Sequence, residues 1–182
     1  MKIDRALDEF RVPFTGLKDG HHVFEFHLGE TFFDAFEYSE IDSADISATV
    51  LLEKTANMLV FITSLKGIVQ VDCDRCGEPI DQAMEGSFRL VVKFGSETGE
   101  TDEDVLVLGP SEFMVDLSQY LYEYAHLTVP ARRVHPLVEE CNQDILKKLE
   151  EMRVTQDAES KWIEIKDMAL DEPGLPDDDE EE

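Results

Sequence analysis

Cysteine and basic residues are scarce in this 182-residue chain. Three cysteines are an odd number and too few for the disulfide framework of a small secreted protein. The first residues, MKIDRALDEF, lack the apolar run of a secretory signal, so we expect a cytoplasmic protein with reduced thiols. No apolar run approaches the roughly 20 residues that a membrane-spanning helix needs. We therefore expect no membrane partner.

The motifs of common enzyme classes are also missing. The five histidines fit no Ser/His/Asp or His-Glu-x-x-His pattern, and no glycine-rich phosphate-binding loop is present. A thioredoxin-like C-x-x-C opens a helix, whereas here Gly77 and Pro79 follow Cys76 at once. We expect a protein that is not an enzyme and has no small-molecule substrate.

The charge balance is strongly acidic. Sixteen basic and 42 acidic side chains give a net charge of −26, and residues 171–182 contain many acids and no base. We predict a disordered tail there, either a solubilising appendage or a polyanion that binds a basic partner. A broad RNA-binding face would need clustered lysine and arginine. Candidate RNA-binding residues are the pairs Arg132, Arg133 and Lys147, Lys148. That these arginines simply pair with the protein's own acids is an alternative that stays open.

Apolar patterning predicts a β-rich body. Strands are expected within residues 10–14, 22–28, 44–53, 57–66, 67–73, 87–94 and 105–108, with 10–14 as an edge strand beside 22–28. Helices are expected after Asp116 and after Asn142, the second burying Ile145, Leu149 and Met152. We predict one α+β domain over residues 1–170, with a mainly antiparallel, barrel-like sheet, a C-x-x-C knuckle and two or three helices.

The stretch VDCDRCGEP, residues 71–79, predicts half of a metal site. Structural zinc takes four Cys or His ligands, and a tight turn between two strands directs two thiolates to one centre. Cys141 is the third cysteine, and His135 stands six residues before it. Cys73, Cys76, His135 and Cys141 are thus a candidate structural zinc site. In the alternative, Cys73 and Cys76 form a reduced turn and Cys141 is a core residue.

The order of these features resembles the YceD-like family of large ribosomal RNA subunit accumulation proteins. The shared features, over residues 10–167, are the C-x-x-C turn, an acidic loop, the helix after Asp116, the Pro130 to Asn142 segment and a late Trp162. Many relatives place a further cysteine in the later segment, where this chain has His135. The resemblance implies a bacterial or organellar, non-catalytic ribosome biogenesis factor that supports accumulation or processing of large-subunit (23S) ribosomal RNA. Its expected partner is either the precursor RNA or a basic ribosomal protein. In the alternative function, the chain is an acidic, chaperone-like protein that holds a basic ribosomal protein and makes no direct contact with RNA.

Overall fold

Eight strands and three helices are present in the computed structural model, which describes residues 7–37, 39–41, 43–96, 98–100 and 105–153. The strands are β1 (Arg11–Pro13), β2 (Gly20–Leu28), β3 (Ser43–Lys54), β4 (Met58–Asp72), β5 (Pro79–Phe94), β6 (Gly99–Glu100), β7 (Val105–Leu108) and β8 (Met114–Asp116). The helices are α1 (Glu30–Phe33), α2 (Ser118–Thr128) and α3 (Gln143–Glu151). The α+β class is confirmed. The predicted acidic tail and the segment around Trp162 lie outside the described residues.

Six strands form the main sheet, in the order β2-β3-β4-β5-β7-β6. Neighbouring strands are antiparallel except β5 and β7, so the mainly antiparallel prediction is confirmed. The barrel-like prediction is wrong, because β2 and β6 stand at the two edges of this sheet and do not pair with each other. The predicted pairing of the first strand with β2 is also wrong: β1 pairs with β8 in a separate two-stranded sheet.

Strand alternation places the core on one face of the main sheet. In β3, Ile46, Val50 and Leu52 are fully buried, and the intervening positions are more exposed. The β2 residues opposite them, including Phe24 and Leu28, point to the same side. This face packs against the phenylalanines of α1 and the apolar side of α2, which together close the core.

Glycine lets the long strand β4 run unbroken past a close neighbour. The sequence predicted two strands here, the second starting at Gly67, but one strand of 15 residues passes through this glycine. A Cβ atom at Gly67 would lie 2.2 Å from the backbone oxygen of Asp45 and 2.6 Å from the Cα of Ile46. The glycine therefore permits close backbone approach between β3 and β4 rather than ending a strand.

Asp116 joins the start of α2 to the first strand. Its Oδ1 accepts hydrogen bonds from the backbone N–H and the hydroxyl of Ser118, at 3.0 and 2.6 Å. Its Oδ2 accepts from the Arg11 guanidinium at 3.1 Å. Burial opposes ionisation, but these hydrogen bonds prevail and lower the pKa of Asp116 below its ordinary 3.8. The carboxylate thus fixes the entry to the helix, but the prediction of Asp116 as the cap is wrong by one position, because the N-cap residue is Leu117 and its side chain makes no cap hydrogen bond.

The last helix begins where the sequence predicted but packs differently. Asn142 Oδ1 accepts from the backbone N–H groups of Asp144 and Ile145, at 3.1 and 3.2 Å, which confirms it as the N-cap. The predicted buried face is wrong, because none of the nine residues of α3 is buried.

In the described part of the chain, no helix is long and apolar enough to span a membrane.

Candidate metal centre

The first half of the centre is the six-residue turn between β4 and β5. Asp72 and Pro79 are paired at the ends of these strands, so the turn closes over residues 73–78. The backbone oxygen of Cys73 accepts hydrogen bonds from the N–H groups of Cys76 and Gly77, at 3.2 and 2.8 Å. Gly77 has a φ of 72°, a left-handed conformation that glycine adopts without strain. The turn thus holds both cysteines on one side, as the knuckle prediction required.

Hydrogen bonds bring the second half of the centre to this turn. The backbone N–H of Asp74 donates to the oxygen of Arg133 at 2.7 Å, and the N–H of Arg133 donates to Asp74 Oδ2, also at 2.7 Å. The Asn142 amide donates to Glu78 Oε1 at 2.8 Å. These contacts flank His135 and Cys141 on both sides, so the polypeptide itself aligns two segments that are far apart in sequence.

The predicted ligand set of Cys73, Cys76, His135 and Cys141 converges on one point. One potential ligand atom from each residue lies within 4.8 Å of all the others. The Nδ1 atom of His135 is 3.6 Å from the Sγ of Cys76 and 3.5 Å from the Sγ of Cys141. The three cysteines are buried and free, and His135 is half-buried. Distant thiols are therefore neighbours in the fold.

These distances fit a tetrahedral metal ion. With zinc–sulfur bonds of about 2.3 Å and zinc–nitrogen bonds of about 2.0 Å, a tetrahedron separates its nitrogen and sulfur corners by about 3.5 Å. Three thiols and one imidazole are also a donor set that zinc prefers. The four residues could therefore hold a metal ion together.

The surroundings of the thiols favour different protonation states. Burial opposes ionisation of Cys73, but backbone hydrogen bonds at Arg75 and His135 outweigh it and lower the pKa of Cys73 from 9.0 to about 6. Burial raises the pKa of Cys141, against the opposing effect of the Arg75 guanidinium, whose Nη1 lies 3.5 Å from Sγ. The neighbouring thiols raise the pKa of Cys141 further. A bound cation would allow all these thiols to be thiolates together.

The four candidate RNA-binding residues differ in their surroundings. Arg133 is paired within the protein, 3.4 Å from the Asp74 carboxylate and 3.9 Å from that of Glu40. Arg132, Lys147 and Lys148 are exposed, and in the part of the chain that the structure describes they make no ion pair. Within the described residues, the alternative that the arginines pair with the protein's own acids therefore holds for Arg133 but not for Arg132.

A polar cleft lies beside the centre. Its volume is about 420 Å³, and its lining residues are Ser39, Glu40, Gln70, Val71, Asp72, Pro79 and Arg133. Two carboxylates and one guanidinium give it a mixed charge, and the guanidinium is the one that is already paired. The cleft therefore does not form a simple basic pocket.

Sequence reasoning missed the residues that support the ligands. Arg75 lies between the two cysteines of the turn and contacts the third cysteine, at Cys141. Asp74 joins the turn to the later segment through the backbone of Arg133. The sequence showed only that an acidic and a basic residue, Asp74 and Arg75, lie between the two cysteines. It did not indicate which distant residues these two side chains contact.

Comparison with known proteins identifies the family of this chain. No curated protein and no solved structure matches the chain significantly. The family model described as large ribosomal RNA subunit accumulation protein YceD matches residues 63–171, more than half of the chain. The matched region contains all four metal-ligand candidates, the turn that carries two of them and the helices α2 and α3. The chain therefore belongs to the YceD family.

Proposed function

We propose that this protein is a non-catalytic factor that supports accumulation of large-subunit ribosomal RNA by binding a component of the assembling subunit. The family description supports the pathway. The observation that carries the binding role is the convergence of Cys73, Cys76, His135 and Cys141 from two distant segments. A metal site with four protein ligands has no open coordination position for chemistry, so we assign it a structural role. That role is to hold two segments of the chain together as one surface.

In this proposal the cluster binds one zinc ion. Zinc fixes the turn over residues 73–78 against the segment that ends at Asn142, and α3 begins directly after that segment. The test is metal analysis of freshly purified protein that has not been exposed to a chelator. We expect one zinc per chain, and a Cys73→Ser, Cys141→Ser variant is expected to contain almost none. Wild-type protein with a small fraction of the stoichiometric zinc would refute this part of the proposal.

The RNA contact in this proposal comes from Arg132, Lys147 and Lys148. Arg132 precedes His135 by three residues, and the two lysines lie about 8 Å along the axis of α3 from its start, so the cluster positions all three. The zinc-held surface thus presents three exposed cations on a protein that is otherwise acidic. Three phosphate contacts give a slope of about −2 to −3 when log K is plotted against log salt.

The binding experiment uses a fluorescent fragment of large-subunit ribosomal RNA precursor and a salt series. Removing the three charges together, as Arg132→Gln, Lys147→Gln and Lys148→Gln, is expected to flatten the slope. The matched control is Lys93→Gln, an exposed lysine near the far end of β5, about 45 Å along the strand from the knuckle. A flat salt response of the wild-type protein, or equal losses in variant and control, would reject direct RNA binding by these residues.

The charge of the chain favours a second candidate, an acidic holder of a basic ribosomal protein without direct RNA contact. The net charge of −26 attracts a strongly basic partner and repels RNA phosphates over most of the surface. Co-purification is expected to yield a basic ribosomal protein, with weaker binding after deletion of residues 171–182. Full affinity of the truncated chain would exclude the tail as the binding element, and absence of any basic ribosomal protein would reject the candidate.

Catalysis is the remaining alternative to both candidates. Pure protein incubated with ribosomal RNA precursor is expected to give no cleavage or modification of the RNA. Turnover that co-purifies with the wild-type chain, and that disappears with the Cys73→Ser, Cys141→Ser variant, would overturn the non-catalytic assignment.

A further inference from the structure

One face of α3 is apolar but has little cover from the described residues. Ile145, Leu149 and Met152 recur at i, i+4 and i+7, and therefore form one stripe along the helix and its C-cap. Ile145 packs partly against the core, but 51% of Leu149 and 77% of Met152 are exposed. A stripe that starts at the core and continues into solvent is typical of a surface that another apolar element covers.

The next part of the chain supplies apolar residues. Residues 154–161 are mostly polar, and residues 162–170 then contain five large apolar side chains: Trp162, Ile163, Ile165, Met168 and Leu170. The family match continues to residue 171, so it includes this segment and leaves out nearly all of the acidic tail. The apolar segment thus belongs to the part of the chain that the family shares.

The connecting residues are long enough for this segment to return to the helix. Extended chain spans about 3.3 Å per residue, so the step from Arg153 to Trp162 reaches up to about 30 Å. The nine-residue helix α3 is about 14 Å long. Trp162 can therefore reach any point of the stripe, and the short connection gives the segment a high effective concentration beside it.

We propose that residues 162–170 fold back on α3 and cover Leu149 and Met152. This interaction buries the apolar side chains of both elements in the same contact, which is favourable because it removes apolar surface from water. A second copy of the chain is a poorer occupant, since each copy has a net charge of −26 and two such chains repel each other. The acidic tail would then begin at the edge of the zinc-held surface.

Trp162 is the only tryptophan in the chain, so its fluorescence reports this contact directly. In the full-length protein we expect blue-shifted emission and weak quenching by acrylamide. The double variant Leu149→Asp, Met152→Asp is expected to lower the ratio of docked to undocked chains by about tenfold or more, with a red shift and several-fold stronger quenching. The matched control is Leu127→Asp, an exposed leucine of α2, which is expected to leave the emission unchanged.

A truncated chain provides a second, independent readout. Removal of residues 162–182 is expected to increase binding of an apolar dye such as ANS, and the double variant in the truncated chain is expected to abolish that increase. Unchanged Trp162 emission in the double variant would overturn the proposal, and so would wild-type emission equal to that of free tryptophan. Sedimentation across a concentration series tests for a second copy: a dimer whose dissociation exposes Trp162 would overturn docking within one chain.

Discussion

Removal of the proposed zinc ion is expected to destabilise the protein by an amount that follows from the chain length between the candidate ligands. Cys76 and His135 are 59 positions apart. A cross-link over such a separation restricts the unfolded chain by about 4 kcal/mol in the loop-entropy model. For a protein of this size, each kcal/mol moves the thermal midpoint by about 2–4 °C, so chelation is expected to lower it by about 8–16 °C.

The assay is thermal unfolding followed by circular dichroism, with and without a strong zinc chelator, and again after zinc is restored. The Cys73→Ser, Cys141→Ser variant is expected to have a thermal midpoint near that of the chelated wild-type protein, and the chelator is expected to leave this midpoint unchanged. The exposed His27 on β2, changed to Asn, is the control and is expected to keep the full response. If the wild-type protein contains zinc and the chelator does not change its thermal midpoint, the idea that the metal stabilises the fold as a cross-link is refuted.

Three further substitutions test particular contacts. Gly67→Ala is expected to lower the free energy of unfolding, measured by chemical denaturation, by about 3 kcal/mol or more, because the added Cβ would overlap the backbone of β3. The control is Gly16→Ala, whose Cβ would meet no atom within 4 Å. Equal losses in the two variants would contradict the close approach of β3 and β4. Asp116→Asn is expected to cost about 1 kcal/mol at neutral pH. Because folding lowers the pKa of Asp116, this difference should be present above pH 3.8 and disappear as pH falls through the folded pKa; a pH-independent difference would contradict the role of its charge. Arg133→Ala is expected to lower stability by about 1 kcal/mol and Arg132→Ala by less than about 0.5 kcal/mol, since among the described residues Arg133 has ion-pair partners and Arg132 has none; equal losses in thermal unfolding would contradict that distinction.

Local sequence patterns predicted those parts of the fold that depend on neighbouring residues. The apolar pattern of residues 22–28 located β2 correctly, because the side-chain period of a strand is two. Asn142 identified the start of α3, because its short side chain satisfies the free N–H groups of the first turn. The three cysteines and His135 were predicted as one set because zinc requires four ligands of these types.

Features that depend on distant partners were not predicted. Pro13 correctly indicated an edge strand, but the partner of β1 lies about 100 residues later, in β8. The open sheet follows from such pairings, which no local pattern specifies. Periodicity located the apolar stripe at Leu149, but it did not show that the stripe is exposed, because the burial of a helix face depends on what packs against it. The different roles of Arg132 and Arg133 depend likewise on where Asp74 lies.

The position of the four ligands along the chain sets an order of events during synthesis. Ribosomes add about 5–20 residues per second, so the 59 positions between Cys76 and His135 take about 3–12 s to make. Once Phe94 completes β5, the growing chain contains the whole β4–β5 hairpin with both thiols in its turn, but neither His135 nor Cys141. All four candidate ligands are present only after Cys141 has been added, so a product that stops short of Cys141 is expected to bind the proposed zinc ion more weakly than the full chain.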